Sequence, residues 1–276
     1  MKKMVICVVG LMTLMIAAGY WFFLQPGAET PQAGQAVKSV KQAQPELEQT
    51  VNRTVAGIPV LMYHSIGDEP NNDAVITKER FTAHMEYLHQ QGFTPLTLEE
   101  LESYLSGKLQ PPAIPVVITF DDGYRDTYEV AMPILKRFGF RSTMFIPVGE
   151  VGQRLSWKEL REMKAAGMQI ASHSFTHREL AGMTVKEQSE EIRRSKELLD
   201  KFLEQDTRFF CFPNGSYNQD TLKLLKQYGF TLAVTIEPGW AKRGDDPLTL
   251  QRVWMGNSVT QQHLYERLTR ADYPII

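Results

Sequence analysis

The sequence predicts an α/β fold, a (β/α) barrel, and three observations predict it. Eight short apolar runs rich in β-branched and aromatic residues recur along the 276-residue chain from Ile58 onward. Helix-like segments separate them. Four of those segments end on a glycine followed at once by an apolar residue, the expected punctuation of a helix-to-strand junction. Strict alternation with short connections implies a parallel sheet, and seven or eight such units over about 220 residues suit a barrel. A doubly wound open sheet is the alternative, but no Gly-rich nucleotide loop follows the first strand.

In order, the strand runs lie at 59–63, 93–96, 116–120, 142–146, 168–172, 208–212, 231–236 and 250–254. Between the first two, Phe81, Met85 and Leu88 recur at i, i+4 and i+7, one face of a helix. Thr97 with Glu100, and Thr184 with Glu187, read as capping boxes. The junction glycines are Gly92, Gly139, Gly167 and Gly229. A barrel carries its catalytic groups just after its strands, at the C-terminal face, whatever their separation in sequence.

The N-terminus is of another kind. Met1, Lys2 and Lys3 precede a stretch to Leu24 without a charged residue, ending in Tyr20, Trp21, Phe22 and Phe23. About 20 such residues span a bilayer core of roughly 30 Å. The lysines favour a cytoplasmic start, and the aromatic cluster suits the far interface. The stretch is long for a cleaved signal and no Ala-x-Ala site follows promptly, so residues 1–24 read as an uncleaved signal-anchor, with secretion after cleavage as the alternative. Residues 25–56, rich in Gln, Ala, Pro and Glu, form a flexible tether, and residues 57–276 the folded domain. Either way the bulk of the chain is exported. The two cysteines, Cys7 in the apolar stretch and Cys211 in a strand run, give no disulfide framework. A net charge of −2 with no basic cluster argues against nucleic acid as partner, and no protein partner is expected.

The polar residues that follow strands form a non-random set. His64 follows the first and Asp121 with Asp122 the third. His173 and His177, in "IASHSFTHREL", follow the fifth. Pro213, Asn214 and Gly215 follow the sixth, Trp240 the seventh, and Arg252 lies in the last. An i, i+4 histidine pair on one helical turn puts two imidazoles on one side, as a metal pair requires. Two imidazoles and one carboxylate make a three-ligand site with an open position, the catalytic form of zinc. The second carboxylate is then free to act as a base. A glycosidase reading of the two acids fails, because adjacent side chains do not stand about 5 Å or more apart across a sugar ring. A phosphatase reading lacks a cationic clamp.

"TFDDGYRD", "SHSFTH" and "FPNGSYN", in this order and rough spacing, resemble the polysaccharide deacetylase family (carbohydrate esterase family 4, the NodB-homology domain) from about Ile58 to the C-terminus. "PVLMYHSI" is similar to the opening of the branch of exported poly-N-acetylglucosamine deacetylases. The resemblance implies a distorted, NodB-type (β/α) barrel, with residues 57–276 as a catalytic domain that removes acetyl groups from N-acetylglucosamine polymers. It implies Asp121 as general base, Asp122, His173 and His177 as ligands of a divalent metal, usually zinc, and the backbone N–H of Asn214, after Pro213, as oxyanion donor.

The sequence departs from the family pattern in two places. An Arg that precedes the third motif's Pro in many members is missing, since Arg208 sits too early; Arg252 is the candidate substitute from the last strand. The late Leu-x-His that supplies the acid is also missing, and His263 follows two glutamines in a helix-like stretch. His64 is the better placed histidine, as acid, substrate ligand or core residue. Trp240 is a candidate sugar-stacking residue, with plain packing as its other reading. The expected partners are an acetylated polysaccharide and, through the N-terminal helix, a membrane. An O-acetyl ester substrate and a catalytically weak carbohydrate-binding module are the alternatives.

Overall fold

A computed structural model describes residues 57–274. The expected membrane span at 1–24 and the tether at 25–56 lie outside the described residues. Among the described residues no helix is long and apolar enough to cross a membrane.

Among the described residues there are ten strands: β1 (Val60–Tyr63), β2 (Ser65–Ile66), β3 (Val75–Ile76), β4 (Thr94–Leu96), β5 (Pro115–Phe120), β6 (Ser142–Ile146), β7 (Met168–Ser172), β8 (Phe209–Cys211), β9 (Leu232–Pro238) and β10 (Leu250–Trp254). The α-helices among the described residues are α1 (Lys78–Gln90), α2 (Leu98–Leu105), α3 (Met132–Phe138), α4 (Trp157–Ala165), α5 (Val185–Leu203), α6 (Gln219–Gln227) and α7 (Gln261–Thr269). Each of the eight expected runs is a strand, with ends within two residues of the reading. Short β2 and β3, which pair with each other, carry too few residues to signal themselves.

Seven parallel strands close in the order β1-β10-β9-β8-β7-β6-β5 and back to β1. The eighth, β4, stays outside the ring. It pairs with the first half of β5, Leu96 opposite Val117, whereas β6 pairs with the second half, Thr119 opposite Thr143. This sharing of one strand distorts the barrel. All six residues of β5 are buried, as expected of a parallel strand covered on both faces.

The helices form where their local signals lie. α1 buries Phe81, Met85 and Leu88 together with His84. Both expected capping boxes close, Thr97 with Glu100 and Thr184 with Glu187. At three junctions the apolar residue after the glycine donates its N–H five residues back: Phe93 to Leu88, Phe140 to Leu135 and Phe230 to Leu225. The intervening glycines have φ of 73°, 66° and 80°, the left-handed turn that ends a helix in this way. Each such junction starts or precedes a strand aimed at one end of the barrel, where the candidate residues gather.

Candidate active site

The two adjacent carboxylates leave β5 in different directions. Asp121 continues the strand, its N–H donating to the Tyr63 carbonyl at 3.0 Å, and its side chain is 2% exposed. Asp122 turns into the left-handed region at φ 69°, which Asp tolerates better than most residues. Gly123 follows at φ 65°, where a Cβ would stand 2.8 Å from Ile146 Cγ1. The Asp-Asp-Gly turn therefore separates one buried acid from one that faces the histidines.

Asp121 is held by Arg252. The guanidinium donates from Nη1 to Oδ1 at 2.8 Å and from Nη2 to Oδ2 at 2.7 Å, and its Nε donates to the Thr235 carbonyl. Burial by itself raises the Asp121 pKa; the Arg252 charge and hydrogen bonds outweigh it and keep the carboxyl below the usual range. Cys211, whose thiol is pushed up by burial and so stays protonated, donates to Asp121 Oδ2 at 3.4 Å. His64 Nε2 lies 3.9 Å from the same oxygen. Burial lowers its pKa, and the charges of Asp121 and Asp122 push back.

Asp122, His173 and His177 meet at three atoms. Asp122 Oδ1 is 3.3 Å from His173 Nε2 and 3.0 Å from His177 Nε2, and the two nitrogens are 3.2 Å apart. A tetrahedral ion bound at about 2.0–2.1 Å would set neighbouring donors about 3.3 Å apart, so the triangle has the size of one face of such a site. His173 Nδ1 lies 2.8 Å from the Cys211 carbonyl, which can only accept. That bond places a proton on Nδ1 and leaves Nε2 as the nitrogen turned toward the carboxylate. One oxygen and two nitrogen donors this close fit a cation between them. Burial raises the Asp122 pKa, but the two imidazoles outweigh it and hold the carboxyl below its ordinary range.

The spacing of the histidines was legible, but the helical turn expected to carry it is absent. They sit on a loop after β7 in which Ser174 and His177 have φ of 64° and 60°. Ser174 Oγ accepts the His177 N–H at 3.0 Å. Glu191 on α5 accepts the N–H groups of Phe175 and Thr176 at 3.0 and 2.7 Å and the Thr176 hydroxyl at 2.5 Å. A turn pinned by a buried acid thus brings the imidazoles together.

A cavity of about 530 Å³ opens on these groups, lined by His64, Asp121, Asp122, His173, His177 and Asn214 among others. Asn214 has φ 52° in a tight turn that begins at Pro213. Trp240 does not line the cavity. It is 3% exposed and its indole donates to the Arg267 carbonyl at 2.9 Å, because Gly239, at φ 152°, turns the chain back into the core. The indole on the cavity is that of Trp254, whose Nε1 donates to Asp73 Oδ2 at 2.6 Å and whose ring lies 5.0 Å from that of His64. The sequence held a signal for it: Trp254 is two residues beyond Arg252, and alternate strand residues share a face. Met62 and His64, Thr119 and Asp121, and Ile236 and Pro238 are spaced alike.

The family model for polysaccharide deacetylases matches residues 108–233. YxkH of Bacillus subtilis (strain 168), which carries the polysaccharide deacetylase name, is 39% identical over 200 residues, 72% of this chain and 71% of that protein. The chain belongs to the polysaccharide deacetylase family. A poly-beta-1,6-N-acetyl-D-glucosamine N-deacetylase of Staphylococcus aureus (strain NCTC 8325 / PS 47) is 26% identical over 208 residues, 70% of this chain and 71% of that one. Among solved structures, the Streptococcus pyogenes deacetylase PplD in complex with acetate aligns with a TM-score of 0.75 and 30% identity, covering 79% of this chain and 100% of PplD. Within this polysaccharide deacetylase, the span matched by the family model holds Asp121, Asp122, His173, His177 and Asn214. His64, Arg252 and Trp254 lie outside it.

Proposed function

We propose that this polysaccharide deacetylase hydrolyses the N-acetyl groups of an N-acetylglucosamine-containing polysaccharide, a peptidoglycan or an exopolysaccharide. The observation that carries the reading is the Asp122–His173–His177 triangle and Asp121, backed by buried Arg252, on one cavity. The name of the staphylococcal relative supports an amide on a glucosamine polymer.

In this reading Asp122, His173 and His177 hold a divalent ion, and their oxygen and nitrogen donors suit zinc. Zinc there supplies Lewis acidity and brings the pKa of a bound water to about 7. Asp121, kept ionised by Arg252, accepts a proton from the attacking water. The backbone N–H of Asn214 donates to the oxygen that gains charge as the acetyl carbonyl becomes tetrahedral. Pro213 fixes the entry to that turn. His64, next to Asp121 and open to the cavity, supplies a proton to the leaving nitrogen. The apolar, charge-free stretch at residues 4–24, behind Lys2 and Lys3, supports a catalytic domain anchored outside the cytoplasmic membrane.

Acetate release by the full chain from N-acetylglucosamine oligomers and N-acetylated peptidoglycan tests the reading, with added zinc, with a chelator and with Asp121→Asn. Zinc-dependent release that falls by at least about 100-fold in the variant is expected. Release from O-acetylated xylan alone would move the reading to an ester, and bound zinc with no release from any substrate would leave a binding module.

A further inference from the structure

Among the described residues the arginine that lines the cavity is Arg267, and its electrostatic situation is the opposite of that of Arg252, which lies behind Asp121. Arg267, on α7, is 3% exposed and lines the cavity. Its Nη1 donates to the Trp254 carbonyl, and its guanidinium carbon lies 5.7 Å from the centre of the Tyr273 ring. Trp254 and Tyr273 both line the cavity too, so the charged end of Arg267 belongs to that wall. Whereas Arg252 is matched by both oxygens of Asp121, no carboxylate lies within 4.0 Å of the Arg267 guanidinium among the described residues.

The nearby acids, Asp73 and Glu266, do not fill this gap, since neither forms an ion pair with Arg267. Asp73 acts on Arg267 only through space. Its Oδ2 is taken by the Trp254 indole at 2.6 Å and its Oδ1 by the Ser258 N–H at 2.5 Å. A guanidinium removed from water with one neutral acceptor is in an unfavourable position, and burial lowers its pKa. Arginine stays charged all the same, with planar paired donors that match a carboxylate or a phosphate. Tying α7 to the end of β10 needs one donor; it does not need a charge.

We propose that Arg267 recognises an anionic group of the glycan, a carboxylate or a phosphodiester carried on or beside the N-acetylated sugar. The proposal rests on the deacetylase reading above and narrows its substrate class to an acidic polymer. Trp254, whose indole N–H is held by Asp73, forms the adjacent part of the wall on which the sugar lies.

Kinetics on three probes test it with the full chain. The probes are N-acetylglucosamine tetramer, a peptide-free strand alternating N-acetylglucosamine with N-acetylmuramic acid, and an N-acetylglucosamine tetramer bearing glycerol phosphate. Wild type is expected to favour an anionic probe over the neutral one by about tenfold in kcat/KM, mainly through KM, as a charge-assisted hydrogen bond supplies. The carboxylate and phosphate arms identify which anion it is. Sodium chloride should shrink the preference, a reading that needs no variant. Arg267→Gln, which keeps a donor for the Trp254 carbonyl, should abolish the preference, and Arg267→Lys should restore part of it. Equal ratios in wild type and Arg267→Gln, or a wild-type preference for the neutral tetramer, would overturn the proposal. If wild type released acetate from none of the three, the deacetylase reading would fall instead. Calorimetric titration of the same probes into wild type and Arg267→Gln would then decide the anion site by itself.

Discussion

Arg252 grips Asp121 through two parallel hydrogen bonds, reaching it from β10 across the intervening strand β1. The pair keeps a fully buried carboxylate charged where burial alone would neutralise it. Removing the guanidinium should therefore raise the Asp121 pKa and leave an uncompensated buried charge, at a cost of about 3–5 kcal/mol. Arg252→Met is expected to lower kcat by at least about 100-fold at pH 7 and to move the acid limb of the kcat/KM profile upward. Arg252→Lys keeps a charge without the fork and should fall between. An acid limb that stays in place in both variants would detach Arg252 from the base.

Glu191 makes a separate contribution, on the loop between the two histidines. Its carboxylate accepts three donors from Phe175 and Thr176, the residues between left-handed Ser174 and His177. Glu191→Ala should let His177 wander and weaken zinc binding by about 10–100-fold, the usual effect of losing an outer partner of a metal site. Competition with a chromogenic chelator measures this directly. Full affinity in the variant would mean that the loop holds its shape without the acid.

The barrel strands and the candidate residues that gather on the cavity were legible for one shared reason. Parallel strands buried on both faces read as continuous apolar runs, and the residues that end them must turn at the face where chemistry collects. The sequence could not show how a turn is made. "SHSFTH" has helical spacing, yet Ser174 and His177 take left-handed backbone, stabilised by Ser174 Oγ and by an acid 15 residues away. Trp240 and Trp254 both fall near strand ends, and only the direction of the chain after Gly239 decides that the first is buried. Arg267 and Tyr273 reach the cavity from the C-terminal helix and the segment after it, a long-range placement that no local pattern encodes.

His84 links stability to pH. The imidazole is fully buried on α1, with Nδ1 3.2 Å from the Tyr63 hydroxyl, and burial pushes its pKa down to about 4. In the unfolded chain it titrates near 6.5, so between these values the unfolded state binds more protons. Stability is then fully present above about pH 6.5 and is lost as pH falls toward 4, by on the order of 3 kcal/mol from this group. His84→Gln removes the titration and can keep a bond to Tyr63. Urea midpoints from pH 4 to 8 should slope less in the variant than in wild type across this window. Parallel curves would assign the slope to other groups.

His64 is expected to matter in proportion to how poor the leaving group is. Its Nε2 lies 3.9 Å from Asp121 Oδ2 on the wall of the cavity, near the proton that the proposed reaction brings to Asp121. An amine cannot depart from a tetrahedral carbon without a proton, whereas a nitrophenolate can. His64→Gln should therefore cost about 10²–10⁴-fold in kcat on N-acetylglucosamine oligomers, the range of general acid catalysis, and less than about tenfold on p-nitrophenyl acetate, where that catalysis is not needed. Asp121→Asn, by contrast, should impair both substrates, because each needs an activated water. Equal losses on the amide and the activated ester in His64→Gln would place the histidine in substrate binding or packing rather than in proton delivery to the amine.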